Sequence, residues 1–185
     1  MAFFNASVVG SGGTLVPGTS SVSLGELPSG STLGFFVIAD GFNVSPFFGG
    51  AAALAGGQLN FRLNGAPVSL ASADAPPQLV FTNAEGSEQV IAGTIFHSTA
   101  LAAGPFGSTL AINPDGLQHF ASGLSGGGLA FGYEDLSGGG DSDFNDGLFR
   151  IDIEPALVGD PSAPIAFAPS LTIADDGSLL TGATA

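Results

Sequence analysis

The sequence contains no cysteine, no tryptophan and no lysine, and its two arginines, Arg62 and Arg150, are its only strongly basic residues. Without cysteine, the chain has neither disulfides nor thiolate metal sites. Its 16 acidic residues give a formal net charge of -14, and such a surface repels phosphate backbones and anionic lipids. We therefore expect neither nucleic acid nor a membrane as a partner.

Long apolar runs are also missing. No stretch approaches the roughly 20 consecutive apolar residues of a membrane-spanning helix, and the start of the chain, Met1–Asn5, lacks the positive charge of a secretory signal. A length of 185 residues fits one domain with a core of its own. We interpret the chain as an excised piece of a larger protein and expect a monomeric module.

Short apolar blocks dominate what is present. The chain has 30 glycines, 12 prolines and 44% hydrophobic residues, a composition that excludes disorder and indicates many turns. Blocks rich in Phe, Val, Ile and Leu, each bounded by turn residues, predict strands. The predicted strands are Val22–Leu27, Thr32–Ala39, Gln58–Leu63, Gln78–Thr82, Val90–Phe96, Gln118–Ser122, Leu129–Tyr133 and Leu148–Glu154.

The clearest of these strands is Leu148–Glu154, in which apolar residues alternate with Arg150 and Asp152 and so put charge on one face only. Helical spacing of apolar residues is interrupted everywhere by glycine or proline, and Pro46–Leu54 is the best candidate for a short helix. The pattern predicts an all-β fold, an antiparallel β-sandwich with at most one or two short helices.

The composition changes after Glu154. Residues 155–170 contain spaced prolines, which favour an extended linker. We therefore predict a module over residues 1–154, a proline-rich linker over 155–170, and the start of a following repeat module or a tail over 171–185. The segment that begins at Pro169 is expected to form a strand that has no partner left within the chain.

One loop concentrates the negative charge. Five of the acids and one asparagine lie within 13 residues: Glu134, Asp135, Asp141, Asp143, Asn145 and Asp146. Two carboxylates about 4 Å apart repel by roughly 4 kcal/mol at an effective dielectric constant near 20, so such a cluster favours a bound cation. Calcium is the natural choice, because it takes six to eight oxygen ligands in flexible geometry. The alternative is a solvated acidic turn.

The spacing of Asp141, Asp143 and Asn145 is similar to that of positions 1, 3 and 5 of an EF-hand loop, although position 6 is Asp146 instead of glycine and strands flank the segment. Gly138, Gly139 and Gly140 permit a tight backbone path that can turn carbonyl groups toward a metal. We predict that these glycines and Ser137 contribute to ligand binding.

The run from Gly132 to Ile151, Gly-Tyr-Glu-Asp-Leu-Ser-Gly-Gly-Gly-Asp-Ser-Asp-Phe-Asn-Asp-Gly-Leu-Phe-Arg-Ile, resembles the C-terminal signature of a bacterial domain family catalogued as of unknown function, which recurs in RTX adhesins. Leu33–Gly41 looks like the early buried strand of that family, and Asn113–Phe120 is similar to its N-P-D-G-x-x-H segment. The likeness covers roughly residues 20 to 154. Gly147 stands where many members have a β-branched residue.

This resemblance implies an extracellular, calcium-bearing β-sandwich at the ligand-binding end of a bacterial surface adhesin. It implies a partner as well, the C-terminus of a peptide or protein on a host or neighbouring cell, whose carboxylate reaches a bound calcium. Since lysine is absent, calcium is the strongest available anchor for an anionic ligand. Two alternatives remain open: a glycan bound through vicinal hydroxyls on calcium, and a structural spacer stiffened by fully enclosed calcium.

Other residues have a bland interpretation beside the functional one. Asn113 and Asp115 form either a second calcium site or an Asx turn, and His119 either orients a metal-binding carboxylate beside the ligand or is purely structural. Arg150 is expected to form an ion pair with a carboxylate of the acidic loop, and His97 is expected to be structural.

Catalysis is the least supported class. Glu134 and a neighbouring aspartate are of the right type for a glycosidase pair, but carboxylates this dense are typical of metal ligands. The chain has no nucleophile elbow, zinc motif or phosphate-binding loop. We therefore expect a binding module and no enzyme.

Overall fold

A computed structural model of the chain describes residues 15–28, 31, 33–43, 46, 54–70, 73–98, 112–125, 128–155 and 167–173. Eleven strands lie within these ranges: β1 (Ser21–Ser23), β2 (Phe36–Ile38), β3 (Gln58–Leu63), β4 (Ala66–Pro67), β5 (Gln78–Thr82), β6 (Glu88–Val90), β7 (Ile95–His97), β8 (Phe120–Ser125), β9 (Gly128–Tyr133), β10 (Gly147–Pro155) and β11 (Phe167–Ile173).

Every strand pair is antiparallel, and no helix of seven or more residues occurs in the described ranges. The prediction of an all-β fold is therefore confirmed. A single turn of 3-10 helix, Gly41–Asn43, follows β2, whereas the candidate helix Pro46–Leu54 lies largely outside the described residues. Among those residues, no helix has both the length and the apolar character that a bilayer crossing requires.

The chain divides into two compact units. The first contains a five-stranded sheet in the order β1-β11-β10-β9-β8. Its buried apolar residues are Phe120, Ala130, Tyr133, Phe149 and Ile151. The alternation predicted for β10 is present, because Phe149 and Ile151 are buried while Arg150 and Asp152 are partly exposed.

The strand near Pro169 does have partners, contrary to expectation. β11 pairs with β10 at seven positions, from Phe149 opposite Ile173 to Pro155 opposite Phe167. Its other edge pairs with β1. β11 thus lies between β10 and β1 and bonds the main chain of both. The local pattern of apolar residues does not encode such long-range pairing. The division into module, linker and following module stays a prediction.

The second unit contains a four-stranded sheet in the order β4-β3-β5-β6 and a two-stranded sheet of β2 and β7. Leu79, Phe81, Ile91 and Ile95 form its core cluster, against which Phe36, Ile38, Leu54, Leu59 and Phe61 pack. The predicted bounds of β3 and β5 are correct. The predicted strand Val90–Phe96 is divided into β6 and β7 by a bend at Gly93. Face-to-face packing as a sandwich stays a prediction.

Candidate metal centre

The acidic loop, residues Glu134–Asp146, connects β9 to β10. The two strands pair directly, with Tyr133 opposite Gly147 at the mouth of the loop. Since Glu134 follows Tyr133 and Asp146 precedes Gly147, the strand register by itself brings the two ends of the loop together. The antiparallel hairpin of β9 and β10 thus brings together carboxylates from the two ends of the acidic loop.

The carboxylates of the acidic loop form two overlapping groups. The first consists of Glu134, Asp135 and Asp146, and the second consists of Glu134, Asp141 and Asp143. Within each group, one oxygen from every residue lies within 4.8 Å of the others. All five acids of the acidic loop are therefore brought together, and Glu134 belongs to both groups.

Glu134 differs from the other acids by its burial. Its exposed fraction is 1%, whereas Asp135 is half-buried and Asp141, Asp143 and Asp146 are exposed. A buried carboxylate that lies close to others is costly unless a cation or donors offset the charge. The shared, buried position makes Glu134 the central residue of the site.

The cationic side chains of the protein pair elsewhere. Arg62 on β3 donates from Nη1 to Oε2 of Glu88 at 2.8 Å, and Arg150 donates from Nε to Oδ1 of Asp152 at 2.8 Å. The prediction that Arg150 pairs with an acidic-loop carboxylate is wrong. Asp152 lies two residues further along β10 on the same face, so it is the nearer partner.

All donors in the two groups are carboxylate oxygens, and the chain has no thiolate to offer. Hard cations that accept several oxygens, above all calcium, match this set, whereas zinc and copper prefer nitrogen and sulfur. The residues present therefore fit calcium. In the described part of the chain, the two arginines donate to Glu88 and Asp152 and not to the acidic loop.

The backbone of the acidic loop is unusual at two non-glycine positions. Ser142 has φ of 61° and Phe144 has φ of 57°, between Asp141, Asp143 and Asn145. Such left-handed conformations are rare for a bulky residue such as phenylalanine and cost on the order of 1 kcal/mol or more. Strain of this kind is found preferentially at ligand sites.

Asn145 lies beside the second group of acids. Its N–H donates to Oδ1 of Asp143 at 3.0 Å, and its Nδ2 donates to Oδ2 of Asp143 at 2.5 Å. Asn145 thereby fixes the orientation of one predicted ligand. Its metal-binding role stays a prediction.

The turn 112–119 is held by Asn113, which is buried with an exposed fraction of 2%. Its Oδ1 accepts a hydrogen bond from the His97 N–H at 2.7 Å, and its Nδ2 donates to the Leu117 carbonyl at 2.8 Å. These contacts join the turn to the end of β7. His97 is buried as expected for a structural histidine, and its ring packs edge-on against Phe61.

Asp115 in the same turn accepts three hydrogen bonds from protein donors. The Leu117 N–H reaches Oδ1 at 3.1 Å, and both the Gly138 N–H and His119 Nε2 reach Oδ2 at 2.9 Å. The Leu117 bond closes an Asx turn, the alternative to a second calcium site. Burial alone raises the pKa of Asp115, but the Gly138 and Leu117 amides and the His119 ring outweigh it and the pKa falls below its usual value.

His119 is fully buried and stacks on Phe96, with ring centroids 3.6 Å apart and planes 12° from parallel. It binds a carboxylate, as the functional interpretation expected, but that carboxylate is Asp115, which belongs to neither acidic group among the described residues. The hydrogen bond from the Gly138 N–H to Asp115 was not predicted. It joins residues 23 apart, and no local sequence pattern indicates it.

Three predicted ligand-binding residues remain to be placed. Ser137 and Gly140 are exposed, and Gly139 is buried. The Gly139 carbonyl accepts bonds from both the N–H and the Oγ of Ser142, at 2.8 Å and 2.9 Å. Their role in binding a ligand stays a prediction.

Gly147 lies against the ring of Tyr133. A Cβ at this position would lie 2.4 Å from Cε1 of Tyr133. The Tyr133 ring thus occupies the space that a β-branched side chain would need.

Comparison with known families gives one match. A family model described as "Domain of unknown function (DUF4114)" matches residues 70–154, which is less than half of the chain. The match includes the turn 112–119 and the acidic loop, but not the segment Leu33–Gly41. The comparisons found no match among curated proteins and none among solved structures. The resemblance to an uncharacterised domain is therefore confirmed over this range.

Proposed function

We propose that this chain is a calcium-dependent binding module of a bacterial adhesin, displayed outside the cell. The module holds the C-terminal end of a peptide or protein through calcium in the acidic loop. The observation that supports this most is the position of Glu134, which is buried and shared by two groups of carboxylates, while both arginines pair elsewhere.

Bound calcium supplies positive charge and open coordination positions. Glu134 and Asp135 hold the inner side of the site, and Asp141, Asp143 and Asp146 hold the exposed side. Dissociation constants on the order of 0.1 to 1 mM suit an extracellular module. At about 100 times the dissociation constant, one bound ion stabilises the fold by about 2.7 kcal/mol.

Exposure of three acids favours binding over a purely structural role. An ion held by exposed ligands lies where a molecule from solution can reach it, whereas a spacer encloses its ion. A carboxylate suits this position, because the surface of the chain is strongly negative and repels anions everywhere else. The terminal carboxylate of a peptide therefore needs the ion.

Thermal unfolding in calcium against excess chelator tests the metal site. We expect about 10 mM calcium to raise the melting temperature of the full chain by about ten degrees, since 1 kcal/mol corresponds to roughly 2 to 4 degrees at this size. The variant Asp143→Ala with Asp146→Ala should lose this gain. The control, Glu26→Ala with Asp74→Ala, removes two exposed charges outside the loop and should keep it. If calcium has no effect on the melting temperature of the wild type, the acidic loop is a solvated turn and the metal-site proposal is wrong.

The ligand is tested with two peptide libraries that differ only at the C-terminus, one free and one amidated. We expect calcium-dependent capture from the free library and little from the amidated one. Monosaccharides with vicinal hydroxyls test the glycan alternative in the same buffer. Calcium stabilisation without capture of either ligand class would identify a structural spacer.

A further inference from the structure

The glycine segment of the acidic loop, Gly138–Gly140, contacts a side chain from the turn 112–119. The Gly138 N–H donates a hydrogen bond to Oδ2 of Asp115. We propose that Asp115 is a positioning residue that holds this segment in the conformation that binds calcium, with His119 as its support. The inference rests on the proposed calcium site. It gives Asp115 a role other than the direct ligation that the sequence suggested.

The hydrogen bonds of Asp115 support a positioning role. One oxygen accepts the Leu117 N–H within the turn, and the other accepts both the Gly138 N–H and His119 Nε2. An ionised carboxylate is an acceptor only, so His119 donates to it. Three protein donors already bind the carboxylate, so the protein alone sets its orientation.

The support behind Asp115 is rigid. His119 has an exposed fraction of 0% and stacks on Phe96, which is also fully buried. Asn113 bonds the backbone of His97 on the same strand, β7. The carboxylate therefore stands on a packed part of the second unit and not on a freely moving turn.

The point of attachment is the middle of the acidic loop. Gly138 lies three residues after Asp135 and three residues before Asp141, so it separates the early ligands from the late ones. Its φ of 84° fixes a left-handed backbone. Holding this residue limits the positions that the two sets of ligands can take before an ion arrives. Without this hydrogen bond, part of the free energy of calcium binding is used to order the loop, and the affinity for calcium falls.

Asp115→Asn separates this role from folding. The asparagine keeps an oxygen for the Leu117 N–H and so preserves the Asx turn. Its amide nitrogen cannot accept the Gly138 N–H. The matched control is Asp74→Asn, which removes one charge at an exposed position outside the turn. His119→Phe is a second variant, which keeps a ring against Phe96 but removes the donor to Asp115.

The probe is terbium, a luminescent substitute for calcium, titrated into the full chain and competed with calcium. We expect Asp115→Asn to bind about tenfold more weakly, the lower end of what lost supporting contacts cost at metal sites. His119→Phe should weaken binding as well, and Asp74→Asn should match the wild type. Luminescence lifetimes in light and heavy water count the waters on the bound ion, and this count should be unchanged in Asp115→Asn.

Two results would overturn the positioning role: unchanged affinity in Asp115→Asn, or an additional water on its bound terbium, which would make Asp115 a direct ligand. Failure of the wild type to bind terbium or calcium would instead overturn the proposed function, and this inference with it. The wild-type titration therefore distinguishes the two failures.

Discussion

In the turn 112–119, the Asp115 carboxylate receives hydrogen bonds from two backbone amides and a buried histidine. In the acidic loop, carboxylates gather around buried Glu134, while both arginines of the chain pair elsewhere. The two segments are neighbours joined through Gly138, yet their acids have different surroundings. Three protein donors converge on the Asp115 carboxylate, whereas other carboxylates surround Glu134.

The turn and the acidic loop show that carboxylates have a structural role in one segment, and we propose a functional role for those of the other. A carboxylate that accepts several protein hydrogen bonds has a lowered pKa and contributes to the fold without a metal. Carboxylates that lie close together repel until a cation binds. Substitution of Asn113 should therefore cost the same stability with and without calcium, whereas substitution of the acidic-loop carboxylates should change stability according to calcium.

The largest effect is expected for Asn113→Ala. The substitution leaves the buried N–H and carbonyl groups of His97 without their Asn113 partner, and each such loss costs about 1 to 3 kcal/mol. We expect a loss of about 4 kcal/mol in the free energy of unfolding, measured by urea denaturation, and the same loss in calcium and in chelator. A penalty seen in calcium alone would instead make Asn113 a metal ligand and remove the distinction between the two segments.

The next largest effect is the dependence of stability on pH through His97, whose N–H bonds Asn113 of the turn. Burial lowers the pKa of His97 to about 4, against about 6.5 in the unfolded chain, and its Nδ1 has no hydrogen-bond partner among the described residues. As the pH falls from 6.5 toward 4, the unfolded state binds the proton first, so stability is lost across this window by about 3 kcal/mol.

His97→Phe should remove this loss, because phenylalanine packs against the same aromatic neighbours without titrating. The measurement is urea denaturation at several pH values in chelator, which excludes effects of calcium. Asp115 has a lowered pKa, so its contribution is present above its unfolded pKa and is lost only below about pH 4. An equally steep loss between pH 6.5 and 4 in His97→Phe would show that other groups cause it.

Glu134→Gln should have opposite effects in the two conditions. In chelator it relieves repulsion among carboxylates, so the melting temperature should stay the same or rise. In about 10 mM calcium it should remove most of the stabilisation of about 2.7 kcal/mol that one ion provides. Glu26→Gln, at an exposed position, is the matched control. Equal calcium stabilisation of Glu134→Gln and the wild type would show that Glu134 is not a shared ligand.

The smallest effect is expected at the contact between the segments. A Cβ at Gly138 would meet nothing within 4 Å, but φ is 84°, and the left-handed backbone costs a side chain about 1 to 2 kcal/mol. Gly138→Ala should therefore lose about 1 kcal/mol in thermal unfolding. The control is Gly123→Ala on β8, where space is also open and φ is not left-handed; it should be neutral or slightly stabilising. Equal losses in both variants would remove backbone strain as the cause.

Local patterns in the sequence were sufficient for several features. Turn residues between short apolar blocks predicted an antiparallel all-β fold, and the bounds of β3 and β5 followed directly. The five acids of the loop lie in two overlapping groups, because they are near in sequence and a hairpin brings its two ends together. Features encoded within about 15 residues were therefore predictable.

What remained depended on contacts between distant parts of the chain. β11 joins β10 and β1, Arg150 selects Asp152 over the acidic loop, and Asp115 binds Gly138 across 23 residues. The sequence by itself determined the charge, the strand pattern and the density of acids, because these are properties of local composition. Only the tertiary structure decided that three donors converge on Asp115 and that Glu134 is buried, because hydrogen bonds and burial depend on packing between segments that the sequence separates.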